Sequence, residues 1–117
     1  MKAGTYMKND NWVFYDDIMP VKTGEGVIRR ILAYTDELMI VENSFEKGAV
    51  GSLHSHPHTQ ITYVLEGEFE FEINGVKKIV KKGDSMLKKD GIVHGCVCLK
   101  EGKLLDVFTP MREDFIK

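Results

Sequence analysis

The chain has 117 residues, enough to bury roughly two-thirds of its unfolded surface and build one core without disulfide or metal staples. A hydrophobic fraction of 43% beside 29% charged residues describes a soluble globular protein, read as a single domain over residues 1–117. The net charge of −2 excludes nucleic acid as a partner, because phosphates need a concentrated positive surface, and no run approaches the ~20 apolar residues of a membrane span.

The opening segment, MKAGTYMKNDNW, has no continuous apolar stretch of the secretory kind, so a cytoplasmic protein is expected, with a loose start over residues 1–11. Trp12 to Tyr15 reads as a short strand that docks on a neighbouring subunit, which predicts a homodimer. Val27 to Tyr34 and Leu38 to Phe45 are β-rich runs with Thr35, Asp36 and Glu37 as the turn between them. After the histidine-rich stretch at 54–60, Gln60 to Leu65 is another strand. Glu68 to Ile73 alternates strictly, with Phe69, Phe71 and Ile73 on one face and Glu68, Glu70 and Glu72 on the other. Asn74 and Gly75 predict a type I′ turn, since both tolerate positive φ, and Val76 to Val80 returns as the partner strand. The basic run Lys77, Lys78, Lys81, Lys82, Lys88 and Lys89 reads as the cross-strand complement of the acidic face, directed at solvent. Ile92 to Leu99 and Lys103 to Phe108 are the last strands, and Thr109 and Pro110 cap and open a single helical turn. Many short strands with regular turns and no helical periodicity predict an all-β barrel or jelly roll.

Chemistry concentrates in HSHPHTQ, residues 54–60. On an extended strand His54 and His56 point the same way, and Gln60 and His94 join them only if the chain closes as a barrel. Three imidazoles and one amide oxygen are a suitable donor set for a divalent first-row metal. His58, the fourth histidine, follows Pro57 and is placed at the rim of the pocket. Cys96 and Cys98 share parity with His94. They are read as small buried thiols, the alternative being a thiolate ligand or nucleophile, which needs a lowered pKa. A mutual disulfide is excluded by their same-face spacing.

These blocks resemble the two motifs of the cupin superfamily. The first motif runs glycine, five residues, His-x-His, three or four residues, Glu, six residues, glycine; Gly48, His54, His56, Gln60 and Gly67 reproduce it with Gln60 in place of Glu. The second is matched by Gly83, Gly91 and His94, with Lys89 where Pro is usual and Cys98 where Asn is usual. The motifs span residues 48–98. The resemblance implies a cupin-type jelly roll with a divalent ion (nickel, zinc, iron or manganese) on His54, His56, Gln60 and His94. A neutral amide in that set leaves the metal charge uncompensated, which favours Lewis-acid over redox work.

The C-terminal part carries a narrower resemblance. HSHPHTQITYVLEGEFEF, VHGCVC and LLDVFTPMREDF together are similar to the KdgF-type proteins of pectin and alginate breakdown, from about Val27 to the C-terminus. This implies a non-redox enzyme that opens 4,5-unsaturated monouronates released by polysaccharide lyases to linear 5-keto-4-deoxyuronate. It also implies Asp106 and Arg112 as catalytic residues with Phe108 and His58 in the substrate pocket. Read from residues alone, Asp106 and Arg112 equally suit an ion pair fastening the C-terminus. Competing functions are another metal-dependent cupin enzyme, an oxygenase or isomerase, and a sugar-acid-binding cupin without chemistry.

Overall fold

The computed structural model describes residues 11–116. It contains eight antiparallel strands: β1 (Val21–Gly24), β2 (Val27–Tyr34), β3 (Met39–Phe45), β4 (Val50–His54), β5 (Thr59–Ile73), β6 (Val76–Lys81), β7 (Ser85–Lys88) and β8 (His94–Thr109). A short helix α1 (Glu113–Ile116) follows, so the architecture is the all-β jelly roll expected, with its C-terminal helical turn. Strands pair in the order β1-β2-β3-β8-β5-β6, with β4 on β8 and β7 on β5. No helix among the described residues is long and apolar enough to cross a membrane.

Two strands are longer than the sequence pattern indicates. β5 joins the runs from Gln60 and from Glu68, and β8 joins those from Ile92 and from Lys103. Their mutual register slips between Val64 and Phe69, where Gly67 has φ +84° and faces Gly102. A β-carbon on either glycine would collide with the main chain of the other strand, so only glycine allows this crossing. Beyond the bend β5 changes partner from β7 to β6, and β8 changes from β4 to β3, which wraps the sheet around an interior.

That interior has three levels. Val27, Phe45, Val64, Phe69, Phe71 and Leu104 belong to one apolar cluster, and Ile31, Tyr34, Met39, Val41 and Phe108 to a second. Inward positions between them are polar: Asn43 lies between Val41 and Phe45 on β3, and Asp106 between Leu104 and Phe108 on β8. Phe69 is fully buried and meets Phe45 edge to face at 5.3 Å. Phe69→Ala is expected to cost about 3–5 kcal/mol, read from the urea midpoint. An unchanged midpoint would mean the ring does not anchor the core.

The Asn74–Gly75 turn forms as expected, with φ of 50° and 81°, and sets Glu68 opposite Lys81 and Glu72 opposite Lys77. Three expectations need revision, and a fourth is not tested. Trp12 to Tyr15 is not a strand: Tyr15–Asp17 is a 3₁₀ turn, and the segment is tied by Tyr15 Oη donating to Glu42 Oε1 at 2.7 Å rather than by a backbone ladder. The loose start assigned to residues 1–11 lies, apart from Asn11, outside the described residues. The helical turn begins at Glu113 rather than Pro110, because Thr109 still pairs with Thr59 in the sheet. Lys88, grouped with the solvent-facing lysines, points inward and is only 2% exposed.

Candidate metal centre and its pocket

His54 ends β4 and His94 begins β8, and the two are direct cross-strand partners, which brings their ring centroids to 4.5 Å. His56 does not reach them by strand alternation. The strand stops at His54, and the following loop is pinned by His58 N and Gly91 N, which both donate to His56 O at 2.8 and 3.1 Å. The loop, rather than the pleat, turns His56 back toward its neighbours. One donor atom from each of His54, His56 and His94 lies within 4.8 Å of the others, a group able to hold a metal ion.

The hydrogen bonds around two of the rings prepare them for such an ion. His54 Nδ1 donates to Ser52 O at 2.7 Å and His94 Nδ1 to Ile92 O at 3.0 Å. A carbonyl only accepts, so in the neutral rings Nε2 carries the bare lone pair. His94 Nε2 is buried with no partner among the described residues, an orphan that a metal would satisfy. His56 differs: its Nε2 donates to Gln60 Oε1 at 3.0 Å and its Nδ1 is buried with no partner among the described residues, so its proton must move to Nδ1 before Nε2 can take an ion. Two donors each ~2.1 Å from one ion and at right angles to it are also about 3.0 Å apart. The residues present therefore fit a divalent first-row ion.

Burial above all, then the Arg112 charge, pulls the His56 pKa to about 4; burial, then Lys88, does the same to His94. Both rings are neutral at pH 7 and need lose no proton to bind metal. The metal-free fold should lose stability as pH falls from 6.5 toward about 4, because the unfolded chain takes up those protons first. Bound metal should survive mild acid, because His56 and His94 stay neutral there. Dialysis against metal-free buffer across this range checks it, and metal lost on moving only from pH 7 to pH 6.5 would contradict the burial.

Beside the triad is a cavity of about 220 Å³, lined among others by Gln60, Lys88, His94, Asp106, Phe108 and Arg112. It suits one small molecule rather than an oligomer. A larger surface groove of about 580 Å³ lies elsewhere, among charges of both signs such as Lys22, Glu25, Glu46 and Lys103, and holds none of these residues.

Asp106, 5% exposed, stands in the polar level. Its Oδ1 accepts from Gln60 Nε2 at 2.8 Å and from Thr62 Oγ1 at 2.5 Å, and its Oδ2 accepts from Asn43 Nδ2 at 2.7 Å. Lys88 Nζ donates to Thr62 Oγ1 at 2.5 Å. Burial pulls the Lys88 ammonium below the usual lysine range, opposed first by the charge of Asp106.

Arg112 pairs with Asp114 through two hydrogen bonds, at 3.0 and 2.8 Å, not with Asp106, so the ion pair considered between Asp106 and Arg112 is replaced. Its guanidinium lies 5.2 Å from the centre of the Phe108 ring and 4.3 Å from that of Phe115. His58 is half-buried and is not among the residues that line the cavity: its Nε2 donates to Met111 O at 3.1 Å and its ring stands edge-on to Phe108. Burial pushes the Cys96 thiol up to about 12 and raises Cys98 as well, which leaves both as packing groups.

Asn43, Thr62 and Lys88 are the members that sequence reasoning missed. Parity was the available signal for Asn43 and Thr62, while the strand of Lys88, four residues long, is too short to show a period. Asn43 lies between inward Val41 and Phe45, and Thr62 between Gln60 and Val64.

A family model described as Cupin domain matches residues 42–108. The chain is 44% identical over 106 residues to the pectin degradation protein KdgF of Dickeya dadantii, covering 88% of this chain and 96% of that one. Among solved structures, KdgF from Halomonas sp. superposes with a TM-score of 0.86 at 34% identity, covering 92% of this chain and 99% of that one. An RmlC-like cupin from Shewanella frigidimarina superposes at 0.89 with 40% identity, covering 93% and 99%.

Proposed function

The chain belongs to the cupin family and groups within it with KdgF, and from that premise we propose that it is a metal-dependent enzyme of pectin and alginate breakdown. Its reaction is the ring opening of 4,5-unsaturated monouronates to linear 5-keto-4-deoxyuronate. One observation carries this reading: Asp106, a buried carboxylate, is hydrogen-bonded at 2.8 Å to Gln60, whose other end meets the histidine cluster in a cavity sized for one sugar acid.

The substrate ring holds a hemiacetal at C1 and an enol ether at C4–C5. Removing the proton from the anomeric hydroxyl forms the C1 carbonyl and breaks the bond between C1 and the ring oxygen. That electron pair becomes an enolate at C5, and protonation at C4 gives the ketone. The overall step is an isomerisation in which one proton moves and no redox partner is needed. A divalent ion on His54, His56, Gln60 and His94 (nickel, zinc, iron or manganese) supplies positive charge that polarises the substrate oxygens.

Asp106 carries the proton. A carboxylate offers about four lone pairs, two on each oxygen. Those of Oδ1 are engaged by Gln60 and Thr62, while Asn43 occupies one on Oδ2, so the free acceptor site is on Oδ2. Arg112 holds the substrate carboxylate in a two-pronged bond. Its present partner Asp114 is 60% exposed, so exchanging one carboxylate for another there costs little. Phe108, 2% exposed, provides the apolar wall beside His56. The test is purified protein mixed with an unsaturated monouronate while the conjugated chromophore is followed. Loss of absorbance is expected, and a stable signal with metal supplied would reject the reaction.

The protein is further proposed to act as a cytoplasmic homodimer. Trp12, Phe14 and Met19 are exposed at 71, 64 and 54%, an apolar arm of the kind a second copy covers, and the two buried cysteines suit a reducing compartment. Light scattering at micromolar concentration should give twice the chain mass, and a monomer mass would remove the dimer.

A further inference from the structure

Asp106 can move a proton usefully only if the right oxygen faces the substrate. Thr62 helps decide which one does. Its hydroxyl has one proton to give and two lone pairs to fill. Lys88 Nζ donates into Oγ1 at 2.5 Å and Gln60 Nε2 approaches it at 3.3 Å, so the hydroxyl proton is left for Asp106 Oδ1.

A lysine at this depth calls for a reason beyond packing. Its side chain is among the most fully buried of the molecule, it makes one hydrogen bond among the described residues, and its ammonium sits 4.9 Å from the centre of the Phe71 ring. Methionine or leucine would fill that volume without desolvating a charge. What the ammonium adds is polarity of one sign only. It donates and never accepts, so it cannot take the Thr62 proton and leaves Asp106 as its destination.

We propose that Lys88 is a positioning residue: through Thr62 it holds Asp106 with Oδ1 engaged and Oδ2 presented to the substrate. This rests on the reading of Asp106 as proton carrier. Lys88 then acts without touching the substrate, and Thr62 is the link through which its effect passes.

The test is a double-mutant cycle on an unsaturated monouronate with Thr62→Val, Thr62→Ser, Lys88→Met and the Thr62→Val/Lys88→Met pair. Each of Thr62→Val and Lys88→Met should lower kcat about 10- to 100-fold with little change in KM and in metal content. The pair should be no slower than the slower single variant, because both remove the same link. Thr62→Ser keeps the hydroxyl and should recover most of the turnover lost in Thr62→Val. Losses that multiply in the pair would overturn the proposal, as would an effect of Lys88→Met confined to KM, the mark of a direct substrate contact. Should Lys88→Met not fold, the serine and valine variants still decide: equal turnover in both removes Thr62 as the link. Wild-type protein that leaves the uronate untouched defeats the assigned reaction instead. The network is then judged by a crystal structure of Thr62→Val, where Asp106 keeping its wild-type orientation overturns it.

Discussion

Asp106→Asn is expected to lower turnover of unsaturated uronates by about 100- to 10,000-fold while fold and metal content stay as in the wild type. The amide keeps the shape of the carboxylate and loses its ability to take a proton. Its oxygen must stay toward Gln60 Nε2 and Thr62 Oγ1, because both donate. The new NH₂ group then faces Asn43 Nδ2, donor against donor, a conflict that Asn43 resolves by turning its own amide over. The hydrogen bonds of Asp106 are kept in this way, but the negative charge that offsets the buried Lys88 ammonium is lost, so the urea midpoint should fall while the fold survives. Turnover at the wild-type rate would show that another group carries the proton. His58, whose Nδ1 is buried without a partner among the described residues, would be examined next. Loss of metal together with the fold would make Asp106 a structural anchor instead.

How much of this could be read in advance differs between the metal set and the groups around it. The spacing from Gly48 to Gly67 and from Gly83 to His94 reports two turns and the strands leaving them, so the gathering of His54, His56 and His94, with Gln60 beside His56, was legible. The route to convergence was not, since it depends on main-chain bonds to His56 O rather than on strand alternation. The outer acidic face of β5 was legible from strict alternation and an Asn–Gly turn. Lys88 was hidden for the opposite reason. It stands in a four-residue strand, too short to show a period, beside lysines that do face solvent. Asn43 and Thr62 are polar residues on inward positions, readable only from the buried neighbours that share their parity, Val41 and Phe45 for one and Gln60 and Val64 for the other. Asp106 and Arg112 were both placed at the pocket, but their supposed pairing failed because Asp114 lies within reach of Arg112 on its own turn.

Gln60→Glu, the residue usual in the first cupin motif, should abolish most activity without weakening metal binding. A carboxylate is at least as good a ligand for these ions as an amide. Gln60 does two jobs, however: Oε1 meets His56 Nε2 at 3.0 Å while Nε2 donates to Asp106 at 2.8 Å. Glutamate has no hydrogen to donate at the second contact. It would set two carboxylate oxygens at hydrogen-bond distance, and such a pair cannot stay fully ionised, so it traps one proton. With a divalent ion beside it, the introduced glutamate keeps its charge and the proton settles on Asp106. A protonated Asp106 no longer accepts the anomeric proton, so kcat at neutral pH should fall about 100-fold or more. The sign of the pH response follows. Raising the pH strips the shared proton, and part of the lost activity should return, whereas Asp106→Asn should not recover at any pH. Elemental analysis of the variant should find its metal in place. Full turnover of Gln60→Glu at neutral pH would show that the N–H bond to Asp106 is dispensable. The amide would then be a metal ligand and nothing more.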